Sequence, residues 1–145
     1  MFLRSCALAA VVSAVSLTVL TSPSWAANRI DVVEDGEGGA AMTLKLVPST
    51  VKAGPALFSV RNDAATEEHE MIVVKLRSAD EMVPVAADKR RVDEDQLQSL
   101  GEVEDLKPGA TGELSADLAP GTYLVFCNIK GHYEAGMQAK LTVTP

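Results

Sequence analysis

Three side chains able to bind a soft metal stand close together near the end of the chain. In CNIKGHYEAGM, residues 127 to 137, they are the thiol of Cys127, the imidazole of His132 and the thioether of Met137. Gly131 and Gly136 lie between them and let the backbone turn sharply. Fully extended, the stretch from Cys127 to His132 would span about 16 Å at roughly 3.3 Å per residue. The donors can converge only if this segment folds into a loop. A thiolate, an imidazole and a thioether favour copper over hard cations such as magnesium or calcium.

A further ligand is needed, and the chain has only two histidines. The second, His69, stands 58 residues before Cys127, after the turn-like stretch RNDAATEE and at the start of the apolar run HEMIVVKL. Only the tertiary fold can unite the two. Cysteine usage sharpens the same point. The first residues carry one positive charge at Arg4, an apolar run from Cys6 to Leu20 and the small residues Ser24 and Ala26, which reads as a secretory signal peptide over 1–26. Its apolar core is shorter than the ~20 residues a membrane span needs. Cleavage after Ala26 would remove Cys6 and leave Cys127 unpaired in an oxidising compartment, expected to be the periplasm, where a lone thiol calls for a use. Intermolecular pairing, an inert buried thiol and metal ligation are the available uses.

The elements that would position these donors are strands. Short apolar or alternating runs occur at 28–34, 42–48, 56–62, 69–76, 111–118, 121–127 and 138–145, separated by turn signals such as KPGA (107–110) and APGT (119–122). In GTYLVFC, Tyr123, Val125 and Cys127 share one face and Leu124 and Phe126 the other, so Cys127 ends a strand on its core-facing side. The exception is the charged stretch 78–106, where Asp93 and Gln96 could form a capping box. Leu97 and Leu100 would then share a face and Gly101 would stop a short helix. The expectation is one domain over 27–145, an all-β, antiparallel Greek-key β-sandwich of about seven strands with one short helical excursion. The whole chain carries a net charge of −7, and loss of Arg4 with the leader would make it −8. Nucleic acid and anionic membrane are poor partners for such a surface.

With both histidines, the remaining cysteine and Met137 in view, GTYLVFCNIKGHYEAGMQAKLTV preceded by FSVRNDAATEEHEMIVVKL resembles the cupredoxin family of type 1 blue copper proteins, over most of residues 42 to 145. The resemblance implies one copper ion, with His69, Cys127 and His132 as equatorial ligands and Met137 as the weak axial one. Such a His2Cys site with a long axial methionine transfers electrons. The sequence departs from the family pattern beside the ligands. Many cupredoxins have asparagine after the first histidine, tied to a small hydroxyl residue after the cysteine, whereas here Glu70 and Asn128 occupy those places. A brace in swapped form, between Asn128 and Glu70 or the backbone near it, is expected.

Other readings use the same residues. Zinc accepts cysteine and histidine, but a thioether is a poor zinc donor, and Glu134 is the carboxylate that could substitute. A periplasmic copper carrier or resistance protein would use the ligands of an electron carrier and differ in how readily it releases the ion. An enzyme finds little support: further coppers would need further histidines, and no G-x-S-x-G motif is present. For an electron carrier, His132 would be the exit path, with Ile129, Tyr133 and Ala135 as the contact patch. The acidic surface of an expected monomer would steer basic partners such as a cytochrome or an oxidase, or a copper-trafficking protein.

Overall fold

The computed structural model describes residues 27–86 and 88–145. The leader expected over 1–26 lies outside them. Among the described residues eleven strands run in order: β1 (Asn28–Asp35), β2 (Thr43–Val47), β3 (Thr50–Lys52), β4 (Gly54–Asn62), β5 (His69–Lys75), β6 (Val85–Ala86), β7 (Arg91–Val92), β8 (Gln98–Leu106), β9 (Thr111–Leu118), β10 (Gly121–Phe126) and β11 (Gln138–Thr144). The expected strands are all present, and β3, β6, β7 and β8 are additional. One sheet has the order β2-β1-β4-β9 and the other β3-β11-β10-β5-β8, while β6 and β7 form a separate hairpin. Most neighbours are antiparallel. The pairs β1–β4 and β3–β11 are parallel.

The two sheets enclose a core of Ile30, Val32, Phe58, Val60, Met71, Val73, Tyr123, Val125, Leu141 and Val143. Each strand contributes alternate residues, as the pleat requires. Strands β5 and β10 also bury their outer faces, where Ile72, Val74, Leu124 and Phe126 form a second cluster beneath Val92, Leu97, Val83 and Tyr133. The unbroken apolar runs MIVV and YLVF follow from burial on both sides. The segment that carries Val83, Val92 and Leu97 therefore roofs the outside of the five-stranded sheet and keeps water from its apolar outer face, and the chain then joins the edge of that sheet as β8.

That stretch corrects the helix expected around 93–101. A single 3₁₀ turn over Glu94–Gln96 is followed at once by β8. Gln96 Nε2 donates to Asp93 Oδ2 at 2.5 Å, but the Asp93 side chain caps no backbone N–H. Tertiary pairing outweighs the local helix signal because β8 supplies the free edge of β5 with partners from His69 to Lys75. Leu97 and Leu100, expected on one face, belong to different clusters. Gly101 sits at a β-bulge opposite Val73 with a φ of +139°, so it shapes the strand rather than stopping a helix.

Candidate metal centre

The antiparallel pairing of β5 and β10 brings the start of one to the end of the other, with Phe126 opposite Ile72. His69 and Cys127, far apart in sequence, thus reach the same pole of the sandwich. Residues 127–137 connect β10 to β11, and the loop closes on itself. Cys127 N–H donates to the Met137 carbonyl and Met137 N–H to the His132 carbonyl, each at 3.1 Å. Further inside it, His132 N–H donates to Ile129 at 2.9 Å and Ala135 N–H to Gly131 at 3.0 Å. These bonds fix where His132 and Met137 leave the backbone.

The donor atoms of His69, Cys127 and His132 all lie within 4.8 Å of one another. His69 Nδ1 is 3.3 Å from His132 Nδ1, and Cys127 Sγ is 3.5 Å from the same His132 nitrogen. Bond lengths of about 2.0 Å to nitrogen and 2.3 Å to sulfur would give separations of this size around one ion. Two imidazoles meeting Nδ1 to Nδ1 beside a thiol make a poor set of mutual hydrogen bonds but a good soft-metal donor set. All three residues are buried, His132 being the most open at 7% exposure. Met137 is fully buried in the same core as Cys127.

Burial also sets the protonation states. Desolvation lowers both histidines below their usual range, and each imidazole is disposed to remain neutral and free to ligate. For His69 the Gly36 backbone and then Glu67, Glu37 and Asp35 partly oppose the shift, whereas at His132 any charge on His69 would add to it, Glu67 opposes it and Arg91 adds to it. The Cys127 thiol is pushed up to about 12, chiefly by burial, against hydrogen bonds from the Glu70 and Ile129 backbones. Copper would supply a one-electron Cu(II)/Cu(I) couple here. The protein keeps the imidazoles neutral, gives up the thiol proton on binding and excludes water from the donors.

Glu70 and Asn128 do meet. The Asn128 backbone N–H donates to Glu70 Oε1 at 3.0 Å, and Glu70 N–H donates to Cys127 Sγ at 3.4 Å. The Asn128 side chain does something else. Its Oδ1 accepts from Val92 N–H at 2.6 Å and its Nδ2 donates to the Val92 carbonyl at 3.0 Å and to Glu94 Oε1 at 2.6 Å, pinning the roof at Val92 and Glu94 to the metal loop. Of the residues expected to form a contact patch, Ile129 and Ala135 are half-buried against the main core. Tyr133 lies on the outer face of the sheet, its ring edge-on to Phe126 at 5.8 Å.

Two buried polar residues are not evident as such from the sequence. The Asn62 amide donates to the carbonyls of Glu67 and Leu106 at 2.9 and 2.7 Å and its Oδ1 accepts from Ala64 N–H at 2.8 Å, which shapes the turn before His69. Glu34 is fully buried, with both carboxyl oxygens lacking a hydrogen-bond partner among the described residues. Its alternation with Ile30 and Val32, like that of Asn62 with Phe58 and Val60, is the signal that both point inward.

Known proteins share this architecture. The profile of the copper binding proteins, plastocyanin/azurin family, matches residues 30–144. Auracyanin-B of Chloroflexus aurantiacus is 67% identical over 27 residues, a match covering 19% of this chain and 12% of that protein's length. A crystal structure of dithionite-reduced auracyanin from Roseiflexus castenholzii superposes with a TM-score of 0.56 at 22% identity, covering 83% of this chain and 100% of that one. An azurin from Methylomonas sp. strain J superposes with a TM-score of 0.55 at 14% identity over the same shares. At these identities the two structures speak for the fold, and the profile speaks for kinship along nearly the whole described chain. The chain belongs to the plastocyanin/azurin family of copper-binding proteins, the cupredoxins.

Proposed function

We propose that this protein is an exported blue copper electron carrier that shuttles single electrons between redox partners in the periplasm. The carrying observation is the convergence of His69, Cys127 and His132 in a buried pocket, with Met137 held at the end of the same loop. In this reading His69, Cys127 and His132 bind one copper strongly and Met137 binds it weakly, an arrangement suited to one-electron cycling. Burial and the hydrogen-bonded closure of the loop favour retention of the ion over its delivery, and so favour electron transfer over copper trafficking. His132, the most open of the ligands, is the route by which electrons leave.

The test is direct. Purified protein loaded with Cu(II) should show an intense thiolate-to-copper absorption band in the visible, and Cys127→Ser should abolish it. The native protein should keep its copper through repeated reduction and reoxidation in the presence of a modest chelator. A colourless copper complex would sink the blue-copper assignment, and ready loss of the ion to the chelator would favour the trafficking role instead.

A further inference from the structure

The charge around the His132 edge differs from the charge of the whole molecule. The chain is acidic, net −7, and that average selects basic partners. Yet the turn between β6 and β7 ends in Lys89 and Arg90 and β7 begins with Arg91, and the structure fastens this basic run to the metal loop. Gly131 N–H donates to the Arg90 carbonyl at 2.9 Å, and Arg90 Nε donates to Glu134 Oε2 at 2.7 Å. The Arg90 guanidinium covers the open side of Gly131, where an added Cβ would stand 3.2 Å from it. Arg90 adopts a φ of +52°, unusual for a residue with a Cβ, so contacts rather than local preference hold the turn.

Lys130, next to Gly131 in the metal loop, extends this basic group. Lys89, Arg91 and Lys130 are exposed and have no ion-pair partner among the described residues. Arg91 precedes Val92, whose N–H and carbonyl are held by the Asn128 side chain at the start of the metal loop. Two acids at the same pole, Glu37 and Glu67, accept hydrogen bonds from the turns around them, while Glu68, beside His69, is exposed. The Glu37 carboxylate accepts from the N–H groups of Ala65 and Thr66 and from the Thr66 hydroxyl, and Glu67 accepts from Gly38 N–H. Within the basic group, Asp88 is a counter-charge and Glu134 is paired with Arg90. Between the rim and the 38–40 turn lies a shallow cleft with Ala40, Met42 and Ala135 on its walls and His132 among its lining residues.

We propose that Lys89, Arg90, Arg91 and Lys130 form a docking rim beside His132 that receives an acidic face of the redox partner, rather than the basic partner that net charge would select. The proposal rests on the electron-carrier reading and specifies the partner's surface chemistry. At physiological salt the Debye length is about 8 Å, so charges at the point of contact orient a partner more than distant charges on the far side of the molecule.

Two probes test it. Hexacyanochromate(III), a redox-inert paramagnetic trianion, should broaden the amide resonances of residues 89–91 and 130–131 in the copper-free protein, and lose that effect in K89E/K130E. In the copper-loaded, reduced protein each encounter with hexacyanoferrate(III) moves one electron from Cu(I) to Fe(III), leaving Cu(II) and Fe(II). That rate should fall several-fold as salt is raised and about tenfold in K89E/K130E. The matched charge change K45E/K52E, on β2 and β3, should alter it far less. If the cationic oxidant tris(phenanthroline)cobalt(III) is the one whose rate falls with salt, or if both charge changes act alike, net charge governs docking and the rim does not. A protein that forms no blue centre would overturn the electron-carrier reading, whereas the hexacyanochromate map would still report on the rim.

Discussion

The backbone N–H of Glu70 donates to Cys127 Sγ at 3.4 Å. The Glu70 carboxylate in turn accepts from the N–H of Asn128, so the residues following His69 and Cys127 tie β5 to the end of β10. Glu70→Gln keeps an acceptor oxygen and removes a charge, whereas Glu70→Ala removes both. We expect Glu70→Ala to lose 10–100-fold in copper affinity, about what a lost ligand-orienting contact costs, while Glu70→Gln stays within a few-fold of native. Glu70→Gln should raise the midpoint potential, because a nearby negative charge stabilises Cu(II) over Cu(I). Burial raises the Glu70 carboxyl above its usual range, so this difference should widen with rising pH. Chelator competition and spectroelectrochemistry give both readings, and identical behaviour of the two variants would refute the role of the carboxylate.

Asn128 is predicted to matter more for the roof than for the metal. Its side chain holds the N–H and carbonyl of Val92, and Asn128→Ala would leave both buried groups unpaired. An unsatisfied buried polar group costs about 1–3 kcal/mol, so the variant should melt at lower temperature. Trypsin should cut it faster at Lys89, Arg90 and Arg91. Copper absorption should persist in the surviving folded protein, and loss of colour without faster cleavage would assign Asn128 to the metal instead.

Legibility of the chain follows the reach of each signal. Donor type and scarcity mark His69, Cys127 and His132, and strand alternation places Cys127 on the core face. The partner strand of Cys127 is harder to read, because the β5–β10 register is a property of the assembled sheet. The 93–101 region misleads for the same reason. Asp93, Gln96 and Gly101 resemble helix boundaries locally, but β5 has an edge that β8 completes. Tyr133 looks like a contact-surface residue from its place in the metal loop, while the apolar face of Phe126 determines where its ring packs. Glu34 is easily missed because an acid in an alternating strand ordinarily faces solvent.

Glu34 should make the copper-free protein less stable as pH rises. Burial, with a smaller contribution from the nearby Glu70, pushes its carboxyl up from 4.5 to about 8. The folded state therefore holds a proton that the unfolded state releases above about pH 4.5. This contribution to stability is fully present at lower pH and is lost progressively as pH rises through about 8. Glu34→Gln has no such proton to lose. Denaturant unfolding should show native stability falling relative to Glu34→Gln between these pH values, by an amount on the order of a few kcal/mol. A constant difference across that range would show that the carboxyl keeps its ordinary affinity for protons.

The two glycines of the metal loop should not be equally replaceable. Gly136 has a φ of +109°, and an added Cβ would stand 2.9 Å from the Met42 carbonyl oxygen. That oxygen belongs to backbone beside the Met42 N–H, which donates to the Ala135 carbonyl, so neither side can yield without moving the loop ahead of Met137. Gly131 has a φ of +87°, but an added Cβ would meet the end of the Arg90 side chain, which can swing away. Backbone strain of this kind costs about 1–3 kcal/mol, and at Gly136 the collision adds to it. Gly136→Ala should therefore unfold at markedly lower denaturant than Gly131→Ala and show an altered copper absorption band. Gly131→Ala should keep the band and lose mainly the seat of Arg90. Equal stabilities and equal spectra would mean that the loop relaxes around either methyl group, and that Gly136 does not fix the approach to Met137.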